Sequence, residues 1–313
     1  MSYDQPNSIR AVTSDGAGRL VVSDLAPPDP GPGEALIRVS AVSLNRGEVK
    51  VALGAAAGWR PGWDYAGAVV QPARDGGGPP AGARVVGFAP SGGWSELVAA
   101  SPPFLAALPD QVSFEAASTL PVAAGTASMA LTKGAAKPGR RVLITGASGG
   151  VGVYAIQLAA AAGDEVTAWI RNPANAALTR ELGAAHVTIG AALASDIGPF
   201  DLILDSVGGQ SLGTALGLLA PGGACVLLGA SEGAVTSFDA SKFRVGGTSL
   251  YALAMNWELQ HTTPSAVLAG VVALAAEGRL KPVIERRAPI EDIDAVAREL
   301  VDRKFAGKAV LTF

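Results

Sequence analysis

The chain has 313 residues, with 24 Lys and Arg against 27 Asp and Glu for a net charge of −3, and 49% hydrophobic against 16% charged residues. That is enough apolar content for one or two packed domains and too much for disorder, while the small negative balance supplies no basic field for nucleic acid or an acidic membrane surface. No apolar run approaches the ~18 residues of a membrane helix, the opening MSYDQPNSIR lacks the apolar stretch of a secretion signal, and Cys225 has no disulfide partner, so a cytoplasmic protein is expected.

Short apolar runs dominate the first third: RLVVSDL, EALIRVSAVSLN, AGAVVQPA and ARVVGFA, separated by PPDPGPG at 27–33 and DGGGPPAG at 75–82. This spacing predicts a compact β-rich domain. From Gly139 onward the pattern becomes strand, glycine-rich turn, helix, strand, the signature of βαβ units around a parallel sheet. The predicted strands are 141–145, 165–170, 186–189, 201–205 and 224–229. VGVYAIQLAAAAG (151–163) is apolar on nearly every face, as a helix buried against a sheet must be, and Gly163 is placed to end it. Asn172 and Pro173 open a further helix that Gly183 closes. Helices near 264–277 and 291–302 and a final strand, KAVLTF, complete the chain.

Between the first of these strands and the apolar helix lies Gly146-Ala147-Ser148-Gly149-Gly150-Val151-Gly152. Missing side chains there let backbone N–H groups and the helix N-terminus approach a pyrophosphate, which makes Ser148, Gly149, Gly150, Val151 and Gly152 the predicted phosphate cradle. Ala147 takes the first of the three fingerprint glycine positions. NAD sites place an acid about 20 residues after the glycines to hold the ribose hydroxyls. Here Arg171 stands 19 residues after Gly152, followed by Asn172, and no carboxylate comes before Glu181, which favours a 2′-phosphate and NADPH over the bland reading of a solvated arginine at a strand end. Ser206, Val207, Gly229 and Ala230 follow strands that end at the cofactor face of such a sheet. With one Cys and only His186 and His261 beside it, the soft ligands for zinc are missing and no metal is expected.

TGASGGVG also fits the turn of the short-chain dehydrogenases, but some 140 residues precede it, and Tyr3, Tyr65, Tyr154 and Tyr251 all lack the lysine four residues on that those enzymes need. Instead SLNRGEV (43–49), PGWDYAGAVV (61–70), GGWSELVAA (92–100), LPDQVSFEAASTLPVAAGTASMAL (108–131), RVLITGASGGVG (141–152), DLILDSVGG (201–209) and GKAVL (307–311) resemble, in order, the landmarks of the medium-chain dehydrogenase/reductase superfamily, in its zinc-independent quinone oxidoreductase (zeta-crystallin-like) and enoyl reductase branch. The resemblance implies an α/β protein with two domains. A GroES-like β-rich substrate domain would comprise residues 1–123 and 258–313, and a Rossmann doubly wound parallel-sheet domain residues 124–257, with the active site in the cleft between them. It further implies a homodimer through sheet edges near ACVLLG or TSLYALAM.

Zinc alcohol dehydrogenases of this superfamily carry a cysteine where Asn45 stands and Gly-His-Glu where Gly62-Trp63-Asp64 stands. Without a Lewis acid, acceptors that spread incoming charge over a conjugated system remain accessible. The resemblance therefore implies an NADPH-dependent reductase that transfers hydride to a quinone or to the β-carbon of an α,β-unsaturated carbonyl. A dedicated enoyl reductase tailoring a polyketide-type secondary metabolite is the neighbouring reading, and an NADPH-binding protein without turnover is the reading from another class. By family position Asn45 faces nicotinamide and substrate, or is a loop amide bonding backbone; Glu48 is a catalytic carboxylate, or fixes the loop; Thr126 lies beside the cofactor, or is a helix-start hydroxyl. NRGEVKVALGAAAG resembles the loop of polyketide enoyl reductases, but Ala55-Ala56-Ala57 stand where those modules carry a tyrosine. Tyr65, Tyr251 or solvent is left as proton donor, each tyrosine also reading as a core residue.

Overall fold

The computed structural model describes residues 4–193 and 197–313, so residues 1–3 of the expected substrate domain lie outside the described residues, as do 194–196. The chain divides into two compact units, Met1–Gly125 with Leu259–Phe313, and Thr126–Glu258.

In the first unit β1 (Ile9–Ser14) and β2 (Leu20–Leu25) form an antiparallel hairpin. The remaining strands are β3 (Ala35–Ser43), β4 (Asp64–Gln71), β5 (Arg84–Phe88), β6 (Leu97–Ala100), β7 (Leu105–Ala107), β14 (Ile284–Pro289) and β15 (Lys308–Thr312). They pair in the order β14-β15-β3-β4-β5-β7, with β6 added to β3, so the last strand of the chain lies beside one of the first. β3 is long because it serves three neighbours, and its register against β4 shifts between Val39 and Ala41. Gly67 sits at that irregularity, where a Cβ would come 2.0 Å from the Arg38 carbonyl oxygen. The core between these strands holds Val12, Ile37, Val42, Leu44, Tyr65, Trp94 and Leu311, closed by Ile293 and Val296 of the helix Ile293–Val301.

One stretch read as loop is helical. NRGEVKVALG forms the helix Arg46–Leu53, with Asn45 as its N-cap and Glu48 three residues on. The signal was in the sequence: an Asn three residues before a Glu, ahead of Val49 and Ala52, is the pattern of a capped amphipathic helix.

The second unit is a parallel sheet in the order β10-β9-β8-β11-β12-β13, made of β8 (Arg141–Thr145), β9 (Glu165–Ile170), β10 (His186–Ile189), β11 (Phe200–Asp205), β12 (Leu219–Leu227) and β13 (Ser249–Ala252). This is the doubly wound order with its reversal between β8 and β11. The helix Gly150–Ala161 buries Val153, Tyr154, Ile156 and Ala159, which is why its sequence shows no polar face. Gly163 just beyond it is left-handed, at φ 81°. Two sequence expectations change here. β12 starts at Leu219 rather than 224 because the Pro221-Gly222-Gly223 stretch is a bulge within the strand, with register slipping between Phe200 and Leu202 opposite it. And ACVLLG offers no free edge, since β12 is flanked by β11 and β13; β13 is the edge strand. Among the described residues no single helix is long and apolar enough to cross a membrane.

A buried ion pair closes the bottom of this sheet. Arg140 donates from Nε and Nη2 to the two carboxylate oxygens of Asp164, at 3.0 and 2.7 Å, and from Nη1 to the Leu131 carbonyl at 2.9 Å. Both side chains are almost fully enclosed. Removing one partner leaves a buried charge unpaired, so Asp164→Ala should lower unfolding free energy by about 3–5 kcal/mol, read from urea denaturation; a loss below about 1 kcal/mol would show that the pair behaves as a surface contact.

Candidate active site

The turn after β8 is built from glycines with separate duties. Gly146 takes φ 58°, a left-handed value that favours glycine. At Gly152 a Cβ would lie 2.5 Å from the Ala147 carbonyl oxygen, so only glycine lets the helix pack this close to the strand end. Ala147 itself is fully buried and free of positive φ, which explains why alanine is accepted where the fingerprint has glycine. No side chain caps the helix at Gly149, and a Cβ there would meet the Gly146 carbonyl oxygen at 3.1 Å. Gly150, Val151 and Gly152 thus carry first-turn N–H groups without a side-chain acceptor, at the positive end of the helix dipole, while the Gly149 N–H donates to the Gly146 carbonyl at 2.8 Å. These residues fit the pyrophosphate of a dinucleotide.

Around this turn the sheet collects the other predicted cofactor residues. The Ala147 N–H donates to Trp169 O at 3.2 Å, which ties the turn to the end of β9, two residues before Arg171. Arg171 is exposed and makes no ion pair or hydrogen bond with another described residue. Asn172 accepts from the Ala174 N–H at 3.1 Å and so caps the short turn Pro173–Asn175. After β11, Asp205 is fully buried. It accepts from Thr145 Oγ1 at 2.7 Å and from the N–H groups of Gly208 (2.7 Å) and Val207 (3.2 Å). Burial pushes this carboxyl up, against the pull of those three donors. Asp205 shapes the turn carrying Ser206 and Val207, and backbone bonds from Leu228 to Asp205 O (2.7 Å) and from Glu232 to Val207 O (2.8 Å) bring Gly229 and Ala230 alongside. Thr126 is buried in the helix Gly125–Leu131, directly after a π-helical turn over Leu120–Ala124.

The predicted catalytic pair lies in the first unit and is brought together by the helix start. Asn45 Nδ2 and its backbone N–H both donate to Glu48 Oε2 at 3.3 Å. Two residues that the sequence reading missed complete the cluster. Asn45 Nδ2 donates to Asp64 Oδ2 at 2.8 Å, and Lys308 Nζ donates to Asn45 Oδ1 at 2.6 Å and to the Leu44 carbonyl at 2.8 Å, with Asp64 Oδ2 3.5 Å away. The second oxygen of Asp64 accepts the Val122 N–H of the π turn at 3.0 Å. Glu48 and Asp64 are fully buried and Lys308 is 2% exposed. Burial, then the charge of Asp64, holds Glu48 well above the usual carboxylate range, against the opposing pull of Lys308 and Asn45. Burial also pushes Asp64 up and Lys308 down, while their mutual attraction opposes both shifts. The geometry suits an ionised Asp64–Lys308 pair beside Glu48, whose Oε1 is enclosed without a hydrogen-bond partner among the described residues.

Tyr65 is not part of this cluster. Its ring is sealed in the β-rich core against Gly87, and its hydroxyl is enclosed without a hydrogen-bond partner. Tyr251 is engaged elsewhere, donating to Glu258 Oε1 at 2.5 Å, with Lys133 Nζ 2.9 Å from Glu258 Oε2.

Two family models match the chain: the alcohol dehydrogenase GroES-like domain over residues 31–110 and the zinc-binding dehydrogenase model over residues 150–269. A chloroplastic quinone oxidoreductase, QR1, of Triphysaria versicolor is 30% identical, over 97% of this chain and 98% of its own. The spectinabilin polyketide synthase system protein NorB of Streptomyces orinoci is 33% identical over 90% of this chain, which spans only 13% of that much longer protein. Among solved structures, the quinone oxidoreductase of Pseudomonas syringae pv. Tomato DC3000 superposes with a TM-score of 0.87 over 97% of this chain and 100% of its own, at 24% identity. The chain belongs to the medium-chain dehydrogenase/reductase superfamily, in its quinone oxidoreductase and enoyl reductase branch. Its fold is a GroES-like domain joined to a Rossmann-type parallel sheet, and its class is oxidoreductase.

The polar cluster has a consequence for stability. A carboxyl whose folded value is raised takes up a proton on folding, so Glu48 contributes most below the ordinary carboxylate range and progressively less as pH rises through its folded value. Glu48→Gln keeps the shape and the neutral charge. Its urea midpoint should stay level between about pH 5 and about pH 8, while the wild-type midpoint declines across that window. Parallel curves would show that Glu48 is ionised in the folded protein.

Proposed function

We propose that this protein is an NADPH-dependent, zinc-independent reductase of quinones or α,β-unsaturated carbonyls, acting in the cytoplasm. The observation that carries the acceptor class is the lysine at the heart of the polar cluster. An ammonium ion, bonded to Leu44 O and Asn45 Oδ1 and paired with Asp64 Oδ2, stands among the oxygens that would otherwise attract a cation. Two of its hydrogens go to Leu44 O and Asn45 Oδ1, Asp64 Oδ2 offsets its charge at 3.5 Å, and with the side chain 2% exposed it has no open face for a substrate carbonyl. An acceptor reduced here must therefore disperse its own developing charge, as quinones and enones do.

NADPH, when bound, supplies the hydride. Ser148, Gly149, Gly150, Val151 and Gly152 would hold its pyrophosphate, and Arg171 its 2′-phosphate, since that guanidinium has no partner to give up among the described residues. Thr126, Ser206, Val207, Gly229 and Ala230 are assigned to its ribose and nicotinamide. Asn45 is assigned to the acceptor oxygen. Of its two Nδ2 hydrogens one is committed to Asp64 at 2.8 Å, and the other makes the longer 3.3 Å contact to Glu48, which is the one a substrate oxygen can take over. Glu48, held neutral, does not repel the negative charge that develops on the substrate. With the Tyr65 hydroxyl enclosed, solvent delivers the final proton.

A second reading, an enoyl reductase dedicated to a polyketide-type metabolite, draws on the 33% identity to the spectinabilin synthase protein over 90% of this chain. We also propose a homodimer through β13, an edge strand whose Leu250 is 45% exposed.

The test is consumption of NADPH and NADH by chelator-treated protein with a simple quinone, a cyclic enone and an enoyl thioester. NADPH turnover that persists under chelation supports the reading, and the best acceptor separates its two forms. Turnover abolished by the chelator, or NADPH bound without consumption of any acceptor, counts against it. In parallel, Arg171→Ala should weaken NADPH binding by about tenfold to a hundredfold, the range of a lost charge-assisted hydrogen bond, and leave NADH unaffected; an unchanged NADPH preference removes Arg171 from the 2′-phosphate.

A further inference from the structure

The side-chain amide of Asn45 has two ends of opposite character, and its neighbours admit one orientation. Lys308 offers only donors, so the atom 2.6 Å from its ammonium must be the amide oxygen. An ionised Asp64 offers only acceptors, so the atom 2.8 Å from its carboxylate must be the amide nitrogen. Reversing the amide would set N–H against ammonium and oxygen against carboxylate, in a place where Asp64 is fully buried and Lys308 nearly so. The same ammonium donates to the carbonyl of Leu44, one residue earlier, and thereby fixes backbone and side chain together.

We propose that Lys308 is a positioning residue for the reaction, locking the Asn45 amide together with Asp64 and acting on the substrate only through Asn45. This rests on the assignment of Asn45 to the acceptor oxygen made above. Stability is a poor reason for the lysine, because a buried ion pair adds little over apolar residues of similar volume. Three charged or titratable side chains form the cluster: Glu48 from the helix Arg46–Leu53, Asp64 from β4 and Lys308 from β15. Two of them, Asp64 and Lys308, are the ones whose ionisation sets the polarity that the amide reads.

A double-mutant cycle distinguishes positioning from general support. Lys308→Met should lower kcat/KM for the best acceptor by about tenfold or more, with the decrease in kcat, yet lower it less than about twofold when Asn45→Ala is already present. Equal losses in both backgrounds, or no loss in either, overturn the proposal. Since Lys308→Met alone strands Asp64, the charge-free pair Lys308→Met with Asp64→Asn is measured as well and should show the same dependence on Asn45. The amide is also read directly in the intact protein. Two separate, exchange-protected proton signals from the Asn45 side chain should be present in wild type and should merge or lose protection in the charge-free pair; signals unchanged by those substitutions overturn the proposal. If wild type reduces no acceptor, the functional reading falls, and the amide signals alone then decide whether Lys308 and Asp64 orient Asn45.

Discussion

An ammonium ion removed from water must be surrounded by oxygen, and much of the first unit is arranged to meet that demand at Lys308. It donates to a carbonyl and an amide oxygen and pairs with a carboxylate at 3.5 Å, groups that come from different stretches of chain. Because Lys308 opens β15 and Asp64 opens β4, with β3 between them, the requirement joins the chain's last strand to its early ones. It also decides where the helix Arg46–Leu53 begins, since Asn45 is at once the N-cap and a member of the cluster. Apolar packing among Val42, Leu44 and Leu311 supplies the driving force. The charges supply direction, because dispersion and area burial do not distinguish one end of an amide from the other.

A comparable division holds in the second unit. The apolar strands and the featureless helix after β8 are what a sheet covered on both faces requires. Specific geometry is concentrated in a few backbone positions at the carboxyl ends of the strands. Gly152 allows the close approach of helix and strand, Gly146 allows the reversal, and Asp205 ties three donors into one turn. Each would be lost by a change of a few atoms, whereas the core tolerates exchange among aliphatic residues of equal volume.

This division explains what the sequence disclosed. The parallel strands, the glycine turn, the cap at Asn172 and the left-handed Gly163 were legible because each is governed by residues within a few positions of one another. The helix after Asn45 carried a local signal as well, the Asn-x-x-Glu cap, but resemblance to a loop obscured it. The start of β12 at Leu219, through Pro221-Gly222-Gly223, was not legible for the opposite reason, since only the pairing of β12 with β11 makes that stretch a strand. Asp64 and Lys308 were not legible as a pair. Each is a lone charge in an apolar strand, and their meeting depends on a register between strands far apart in the chain. Asp205 stood beside the predicted Ser206 and escaped notice because its work is done inward, on backbone N–H groups, and not on a ligand.

The chemical difference between a cation with an open position and one without gives this cluster its character. A metal ion polarises a carbonyl by accepting it as a ligand. The Lys308 ammonium is buried and bonded to two protein oxygens, and Asp64 offsets its charge at 3.5 Å, which leaves no open face for such a ligand. What remains is fixed direction: an amide whose nitrogen and oxygen cannot exchange places, next to a carboxyl that burial holds well above the usual carboxylate range. A site of this kind lowers a barrier by having its dipoles in place before the charge on the substrate changes, not by supplying charge of its own. On the function proposed, it suits an acceptor that already carries the conjugation needed to hold the added electrons.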